Sequence, residues 1–142
     1  MRLLLASLAL LAAVSRLDAQ SPPDSSASSY SLDNCVNHFS QAKVESTNAG
    51  YQYWFVDKKF VDGRTIKLSV VGPHKATHPP HVHPEDEFFF VLEGQAEFFL
   101  NGKTRVVGPM TSLYCPPNVK HGIRNVGDTT LKYLVIKKYP VQ

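Results

Sequence analysis

The stretch HPPHVHPEDEFFFVLEG, from His78 to Gly94, decides how this chain is interpreted. It holds three of the six histidines in the 142-residue sequence, followed by acidic residues and three phenylalanines. Side chains two residues apart on an extended strand point to one face, so His81 and His83 share a face and Glu87 has the same parity. Two imidazoles and a carboxylate suit one divalent transition metal, such as Fe, Mn, Ni, Cu or Zn. The stretch predicts most of a metal site, and the alternative is a solvated Pro/His turn that leads into a strand.

A fourth candidate metal ligand lies downstream, in the segment CPPNVKHGIRN at residues 115–125. His121 follows a Pro-Pro-Asn turn and precedes a strand-like segment that ends at Asn125. Turn residues of this kind fix the direction of the chain, and loops held on a rigid scaffold commonly carry function. We therefore take His121 as the candidate that completes the metal site.

Short apolar runs separated by turn pairs follow one another along most of the chain. Asn101-Gly102 and Glu93-Gly94 are examples of such turn pairs, and closely spaced strands with these turns indicate antiparallel hairpins. The pattern predicts an all-β sandwich or barrel. The predicted strands are Tyr51–Val56, Thr65–Val71, Glu87–Leu92, Ala96–Leu100, Thr104–Val107, Thr111–Tyr114 and Thr130–Lys138, with a strand-like segment up to Asn125.

The N-terminus has the layout of a secretory signal peptide over residues 1–19. A positive start at Arg2 precedes a short apolar run, Leu3–Val14, and Leu17-Asp18-Ala19 resembles a small-residue cleavage site. The apolar run is too short to span a bilayer unaided, although an uncleaved anchor is the alternative. Residues 20–30 are rich in Ser and Pro and are expected to be a flexible lead-in. These features predict a secreted or periplasmic protein without stable membrane insertion.

The length and the apolar content of 43% suit one folded domain. We place it at residues 31–142, with a core at 51–138 and a short N-terminal helix capped near Ser31 or Asp33. The apolar positions at helical spacing are Leu32, Cys35, Val36 and Phe39.

The net charge and the cysteine content say little about binding partners. The formal net charge is +3 and the lysines do not cluster into a stripe, so we expect no nucleic-acid partner. Cys35 and Cys115 form an even pair, which permits a disulfide in an exported protein, but a buried thiol at Cys115 is the simpler interpretation.

With both histidine segments in view, the chain resembles the small single-domain cupins of the cupin_2 type, which include quercetinase-like proteins. The first motif appears as His81-Val82-His83, Glu87 and Gly94, and the second as PPNVKH at 116–121 followed by Asn125. The resemblance implies a double-stranded β-helix (jelly-roll) barrel that holds one divalent transition metal. Carried over position by position, it implies the metal ligands His81, His83, Glu87 and His121.

Two departures from the cupin pattern concern loop geometry and remove no ligand. Gly72 lies further upstream of the first histidine pair than the family's glycine does. Asn118 stands where the second motif usually has glycine, and asparagine tolerates the positive φ that such a turn requires.

Residues around the predicted ligands suggest how the site is enclosed. Phe89 and Val91 share the parity of Glu87 and should face the barrel interior, whereas Phe88 and Phe90 face outward. Aromatic side chains on both faces indicate that the outer face is also covered, either by the N-terminal segment or by a second subunit in a homodimer.

The expected ligand of this site is a small molecule. Phe89, Tyr114 and Arg124 are the candidate substrate contacts, and Glu87 is the candidate catalytic group as well as a metal ligand.

Three functions fit a metal with open coordination positions in a barrel mouth. The first is a metal-dependent oxidoreductase of the dioxygenase type, acting on a small oxygenated substrate that chelates the metal. The second is an isomerase, lyase or decarboxylase acting on a sugar acid or small carboxylate. The third is a secreted, non-catalytic binding module. Fold resemblance by itself does not choose among them.

Overall fold

The computed structural model of the chain describes residues 30–61 and 63–140. The predicted signal peptide and residues 20–29 of the predicted lead-in lie outside the described residues. Clustering of the chain separates a unit that ends at Cys35 from one that begins at Val36. Among the described residues, no helix has the length and apolar character needed to cross a membrane.

The predicted N-terminal helix is a single turn, α1, at Leu32–Cys35. It ends there although Val36 and Phe39 continue the helical spacing. Phe39 packs its ring against Tyr53 at a centroid distance of 4.9 Å. One turn of 3₁₀ helix follows at Gln41–Lys43.

Nine strands form two antiparallel sheets within the described part of the chain. The larger sheet has the order β1-β2-β3-β9-β4-β7 and the smaller has the order β6-β5-β8. This arrangement confirms the predicted all-β jelly-roll barrel. The strands are β1 Glu45–Thr47, β2 Gly50–Val61, β3 Arg64–Val71, β4 Glu87–Glu93, β5 Ala96–Leu100, β6 Lys103–Val107, β7 Thr111–Cys115, β8 His121–Asn125 and β9 Leu131–Lys138.

Two strands differ from their prediction. β1 has the polar sequence EST and carries no apolar alternation, so no sequence signal marked it. β2 continues past Val56 through a charged stretch, where its register with β3 shifts before Val61 pairs with Arg64. Pairing with β3 resumes only at Val61, and the charged side chains between Val56 and Val61 lack the β pattern.

The core lies between the inner faces of the two sheets. Phe89 and Val91 are buried, as their parity predicted, and pack with Ala96, Leu131 and Tyr133. Burial of each large apolar side chain contributes about 1.5–3 kcal/mol to the free energy of unfolding. These contacts place the start of β4, where Glu87 lies, beside a close-packed layer.

The outer face of the larger sheet is covered over part of its area. The Tyr53 hydroxyl donates a hydrogen bond of 2.7 Å to the His38 carbonyl, and Val44 packs on the same cluster. Phe88 and Ile136, further along this face, are each 41% exposed. The chain before β1 thus covers one end of the face, and the homodimer stays a prediction.

Candidate metal centre

Backbone pairing brings together the two histidine segments, which are far apart in sequence. The His81 amide donates to the His121 carbonyl at 2.9 Å, and the His121 amide donates to the His81 carbonyl at 3.0 Å. The Asn118 amide donates to the His83 carbonyl at 2.9 Å. Asn118 has a φ of 59°, which confirms that asparagine adopts the left-handed turn here. The turn sets the position from which β8 starts at His121.

Four side chains converge at this end of the barrel: those of His81, His83, Glu87 and His121. One donor atom from each lies within 4.8 Å of all the others. The Nε2 atom of His121 is 3.1 Å from Nε2 of His83 and 3.1 Å from Oε1 of Glu87. The same carboxylate oxygen is 3.5 Å from Nε2 of His83. The group is the set that the sequence proposed as metal ligands.

Backbone carbonyls hold each imidazole in one tautomer. Nδ1 of His83 donates to the Glu85 carbonyl at 2.7 Å, and Nδ1 of His121 donates to the Val119 carbonyl at 2.7 Å. Nδ1 of His81 contacts the Pro79 carbonyl at 3.2 Å. A proton kept on Nδ1 leaves the Nε2 lone pair free, which is the form of imidazole that binds a metal.

The donor set fits a divalent transition metal. Three imidazole nitrogens and one carboxylate oxygen are borderline ligands of the kind that Fe, Mn, Ni, Cu and Zn accept. Two nitrogens that each lie about 2.1 Å from one ion, at close to a right angle, are about 3 Å apart, which matches the spacing of His83 and His121. This cluster could therefore hold a metal ion, and its chemistry does not select which one.

The four residues differ in exposure. His121 is fully buried at 0% and Glu87 is 6% exposed, whereas His81 lies on the solvent side. His121 is therefore a buried residue of the barrel wall and not a loop residue at its rim. Burial lowers the pKa of His81, helped by the neighbouring imidazoles and opposed by the Pro79 carbonyl. The lowered pKa favours the neutral form of His81, which is the form of imidazole that binds a metal.

A cavity of about 120 Å³ opens onto three of the four residues, His81, His83 and Glu87. Its apolar wall includes Phe89, one of the three predicted substrate contacts. The other lining residues are Lys67, Ser69, Thr77, His78, Gly122, Ile123, Tyr133, Val135, Lys137 and Tyr139.

The structure places the other two predicted substrate contacts away from this cavity. Tyr114 lies on the outer face, 45% exposed, with its ring 5.0 Å from that of Phe88. It alternates with Cys115, which pairs with Glu87 and faces inward, so its parity turns it away. Arg124 is exposed and forms a 2.6 Å ion pair with Glu97 on the outside of the small sheet.

The cavity also contains lysine and tyrosine side chains that the two histidine motifs did not predict. Lys67 and Lys137 occupy inward-facing positions on β3 and β9, where alternation otherwise places apolar or small residues. Lys137 forms a 3.3 Å ion pair with Glu85 and is 9% exposed. The Tyr133 hydroxyl hydrogen-bonds with the side chains of Thr77 and Ser69, and burial raises its pKa. The sequence signal that could have predicted this polar wall is the presence of charged residues at strand positions whose alternation places them on the inner face.

Both cysteines are free thiols in the structure, Cys35 exposed and Cys115 buried. Burial, with the nearby charge of Glu87 as a second cause, raises the pKa of Cys115 to about 12. A thiol held protonated in this way is a poor nucleophile and a poor metal ligand. The buried-thiol interpretation of Cys115 is confirmed.

Comparison with known families identifies the barrel. A family model described as the cupin domain matches residues 67–137, which is half of the chain. The chain belongs to the cupin family. The match spans both histidine motifs and the strands β3 to β9 that carry them.

Similar proteins include several that are named for enzyme activities. An "H2HPP isomerase" from Bacillus subtilis is 35% identical over 74 residues, which cover 51% of this chain and 31% of the relative. The chain therefore matches less than a third of that curated relative's length.

Solved structures share the fold at lower identity. A "predicted oxalate decarboxylase" from Thermotoga maritima is 22% identical with a TM-score of 0.65, covering 72% of this chain and 97% of that one. A polyketide cyclase from Streptomyces resistomycificus is 24% identical with a TM-score of 0.60, covering 72% of this chain and 78% of the cyclase. A cupin 2 conserved barrel domain protein from Salinispora arenicola is 20% identical with a TM-score of 0.61, covering 73% and 87%. These likenesses show the barrel fold.

Proposed function

We propose that this cupin is a metal-dependent enzyme that acts on a small oxygenated substrate able to chelate the metal. The observation that carries the proposal is the convergence of three tautomer-locked imidazoles and the Glu87 carboxylate on one point. A bound divalent metal would supply a Lewis acid with coordination positions left open for substrate oxygens.

The residues of the chain have distinct parts in this proposal. Glu87 is the single anionic ligand and offsets part of the charge of the cation. Phe89 forms an apolar wall that limits access of water beside the metal. Because the cavity has a volume of about 120 Å³, only a compact substrate, or the compact end of a longer one, would reach the metal.

For the reaction class, we favour an isomerase, lyase or decarboxylase, because a metal held by these residues would supply Lewis-acid polarisation of a substrate oxygen and such reactions need no external oxidant. The isomerase from Bacillus subtilis, which shares 35% identity over 74 residues, supports this class. The dioxygenase class is the second candidate, supported by the resemblance of HVHPEDEFFFVLEG to quercetinase-like cupins and by the open coordination positions.

The metal site is tested by elemental analysis and metal titration of purified variants. We expect the wild-type chain to bind about one divalent ion, and His83→Ala and Glu87→Gln to bind it at least about tenfold more weakly, because each loses a ligand. His74→Ala is the matched control, since His74 lies outside the cluster and pairs with Asp128 at 2.9 Å. A full metal complement with unchanged affinity in both cluster variants would refute the ligand assignment.

Oxygen-uptake assays separate the two reaction classes once metal is bound. The metal-loaded chain is incubated with a panel of diols, hydroxy acids and keto acids, with and without dioxygen. Turnover that is indifferent to oxygen supports the isomerase, lyase or decarboxylase class, whereas turnover that consumes oxygen supports a dioxygenase. Metal binding with no turnover on any chelating substrate would favour a binding module and count against an enzyme.

A further inference from the structure

Lys67 lies in the wall of the metal cavity although the cupin motifs assign it no role. On β3 it pairs with Trp54 of β2 and Val135 of β9, which fixes its side chain on the inner face of the larger sheet. It lines the same cavity as His83 and Glu87. A ligand that occupies this cavity therefore has both Lys67 and the candidate metal ligands in its wall.

The ammonium group of Lys67 has no ion-pair partner among the residues that the structure describes. No described carboxylate oxygen lies within 4.0 Å of its Nζ atom, although the charges of Glu87 and Glu45 act on it from further away. Its Nζ lies 5.1 Å from the centroid of the Trp54 ring, a cation–π contact. Lys137, the other cavity lysine, differs because Glu85 already neutralises it at 3.3 Å.

Lys67 is half-buried, so its ammonium group loses part of its hydration. This burial lowers its pKa below the ordinary lysine value, and the opposing charges of Glu87 and Glu45 do not fully compensate. A half-buried cation without a close counter-ion is stabilised when a ligand supplies one.

Charge balance in the cavity favours an anionic ligand. Glu87 offsets one of the two charges of a divalent metal, and the pair of Lys137 with Glu85 is neutral. The remaining metal charge and the Lys67 ammonium leave the cavity doubly positive. A neutral diol would leave this charge uncompensated, whereas a ligand with carboxylate groups would neutralise it.

We propose that Lys67 determines specificity by pairing with a carboxylate of the ligand while other oxygens of the same ligand reach the metal. The inference rests on the metal site of the proposed function and narrows its substrate class to small carboxylates, such as hydroxy acids or keto acids that carry a second acidic group.

The experiment compares two ligands that bind a metal through the same 2-hydroxy-acid group. Malate carries a second carboxylate and 2-hydroxybutanoate does not. Calorimetric titrations use the full chain loaded with one equivalent of Zn²⁺, or of another divalent ion if Zn²⁺ does not bind, as wild type, Lys67→Met, Lys67→Arg and Lys103→Met. Lys103, exposed on β6, is the matched control.

The wild type is expected to bind malate about tenfold to about a hundredfold more tightly than 2-hydroxybutanoate, the range of one charge-assisted hydrogen bond. Lys67→Met should abolish that preference and leave 2-hydroxybutanoate binding nearly unchanged. Lys67→Arg should retain much of the preference, and Lys103→Met should retain all of it.

The possible outcomes distinguish a failure of the proposed role of Lys67 from a failure of the proposed metal site. Metal content, measured first with Zn²⁺, Fe²⁺, Mn²⁺, Ni²⁺ and Cu²⁺, shows whether the metal site exists, and the titrations then use a metal that binds; a wild type that binds none of these ions would overturn both. Bound metal with no preference for malate, or a preference that survives in Lys67→Met, would overturn the role of Lys67 alone. Circular dichroism checks folding, and Lys67→Gln, which keeps a polar group, replaces Lys67→Met if the latter does not fold.

Discussion

Asn125 shows that one residue of a cupin motif can hold the fold together while lying away from the candidate metal ligands. Its amide nitrogen contacts the carbonyl oxygens of Val71, Gly72 and Thr129 at 3.0, 3.0 and 2.7 Å. Its amide oxygen accepts a hydrogen bond from the Gly127 amide at 2.9 Å. Buried carbonyls need such partners, so this side chain ties the end of β3 to the turn after β8, at the opposite end of β8 from His121.

Cys115 carries a residue-scale prediction about reactivity and pH. Because burial raises its pKa to about 12, iodoacetamide at pH 8 should label the exposed Cys35 in the native chain and leave Cys115 unmodified. In urea, both thiols should react. Peptide mass spectrometry measures the labelled sites, and Cys35→Ser is the control that leaves one thiol.

The sign of the pH effect at Cys115 follows from the same shift. Folding favours the protonated thiol, so its contribution to the free energy of unfolding is complete below the unfolded thiol pKa of 9.0. The contribution decreases as the pH rises from there through about 12. Rapid labelling of Cys115 in the native chain at pH 8 would contradict the prediction.

At the scale of elements, the order of strands in the larger sheet decides what surrounds the cluster. Strand β9 lies between β3 and β4, so Lys137 stands opposite Glu87 on one side and Thr65 on the other. The turn between β4 and β5 returns the chain to the second sheet, where β8 begins with His121. Sheet order and turns therefore place two lysines and three of the four candidate metal ligands in one cavity.

Replacing each of three glycines that lie at the ends of strands by alanine should separate the cost of backbone strain from the cost of steric contact. Gly108→Ala should change the free energy of unfolding by less than about 0.5 kcal/mol, because nothing lies within 4 Å of its added Cβ. Gly102→Ala should cost about 1 kcal/mol, since its φ is 83° but its surroundings are open.

Gly94→Ala should be the most destabilising of the three, at about 2–4 kcal/mol. Its φ is 85°, and an added Cβ would meet the Thr130 carbonyl oxygen at 2.7 Å and the Leu131 Cα at 2.9 Å. Urea unfolding of all three variants measures the differences. Equal costs for Gly94→Ala and Gly102→Ala would show that the turn moves freely away from β9.

At the scale of the whole molecule, metal binding should be linked to folding. The ligands come from β4, β8 and the segment before β4, so the complete set forms only when both sheets are assembled. A ligand that binds the folded chain alone stabilises it by mass action. The homodimer, export from the cell and the choice between reaction classes stay predictions at this scale.

A divalent metal at a concentration of one hundred times its Kd should raise the free energy of unfolding by about 2.7 kcal/mol. Thermal unfolding with and without metal measures the shift in Tm. His83→Ala should lose most of that shift because a ligand is missing, whereas the control His74→Ala should keep it. A shift of the same size in His83→Ala would place the stabilising metal elsewhere.

The sequence by itself determined the features that depend on near neighbours. Alternation predicted that Phe89 and Val91 face inward with Glu87, and the turn pairs predicted the hairpins, because both are set by residues within one strand or one turn. The spacing of the two motifs, through family resemblance, predicted the four residues that the structure brings together.

Only the tertiary structure decided which distant residues meet. Tyr114 faces away and Arg124 pairs with Glu97, since strand register fixes their direction, while Lys67 and Lys137 enter the cavity because β3 and β9 pair beside β4. Strand order depends on the burial and backbone pairing of the whole barrel, which no local pattern encodes. The chemistry of the cavity wall, unlike the identity of the candidate ligands, is therefore a property of the assembled fold.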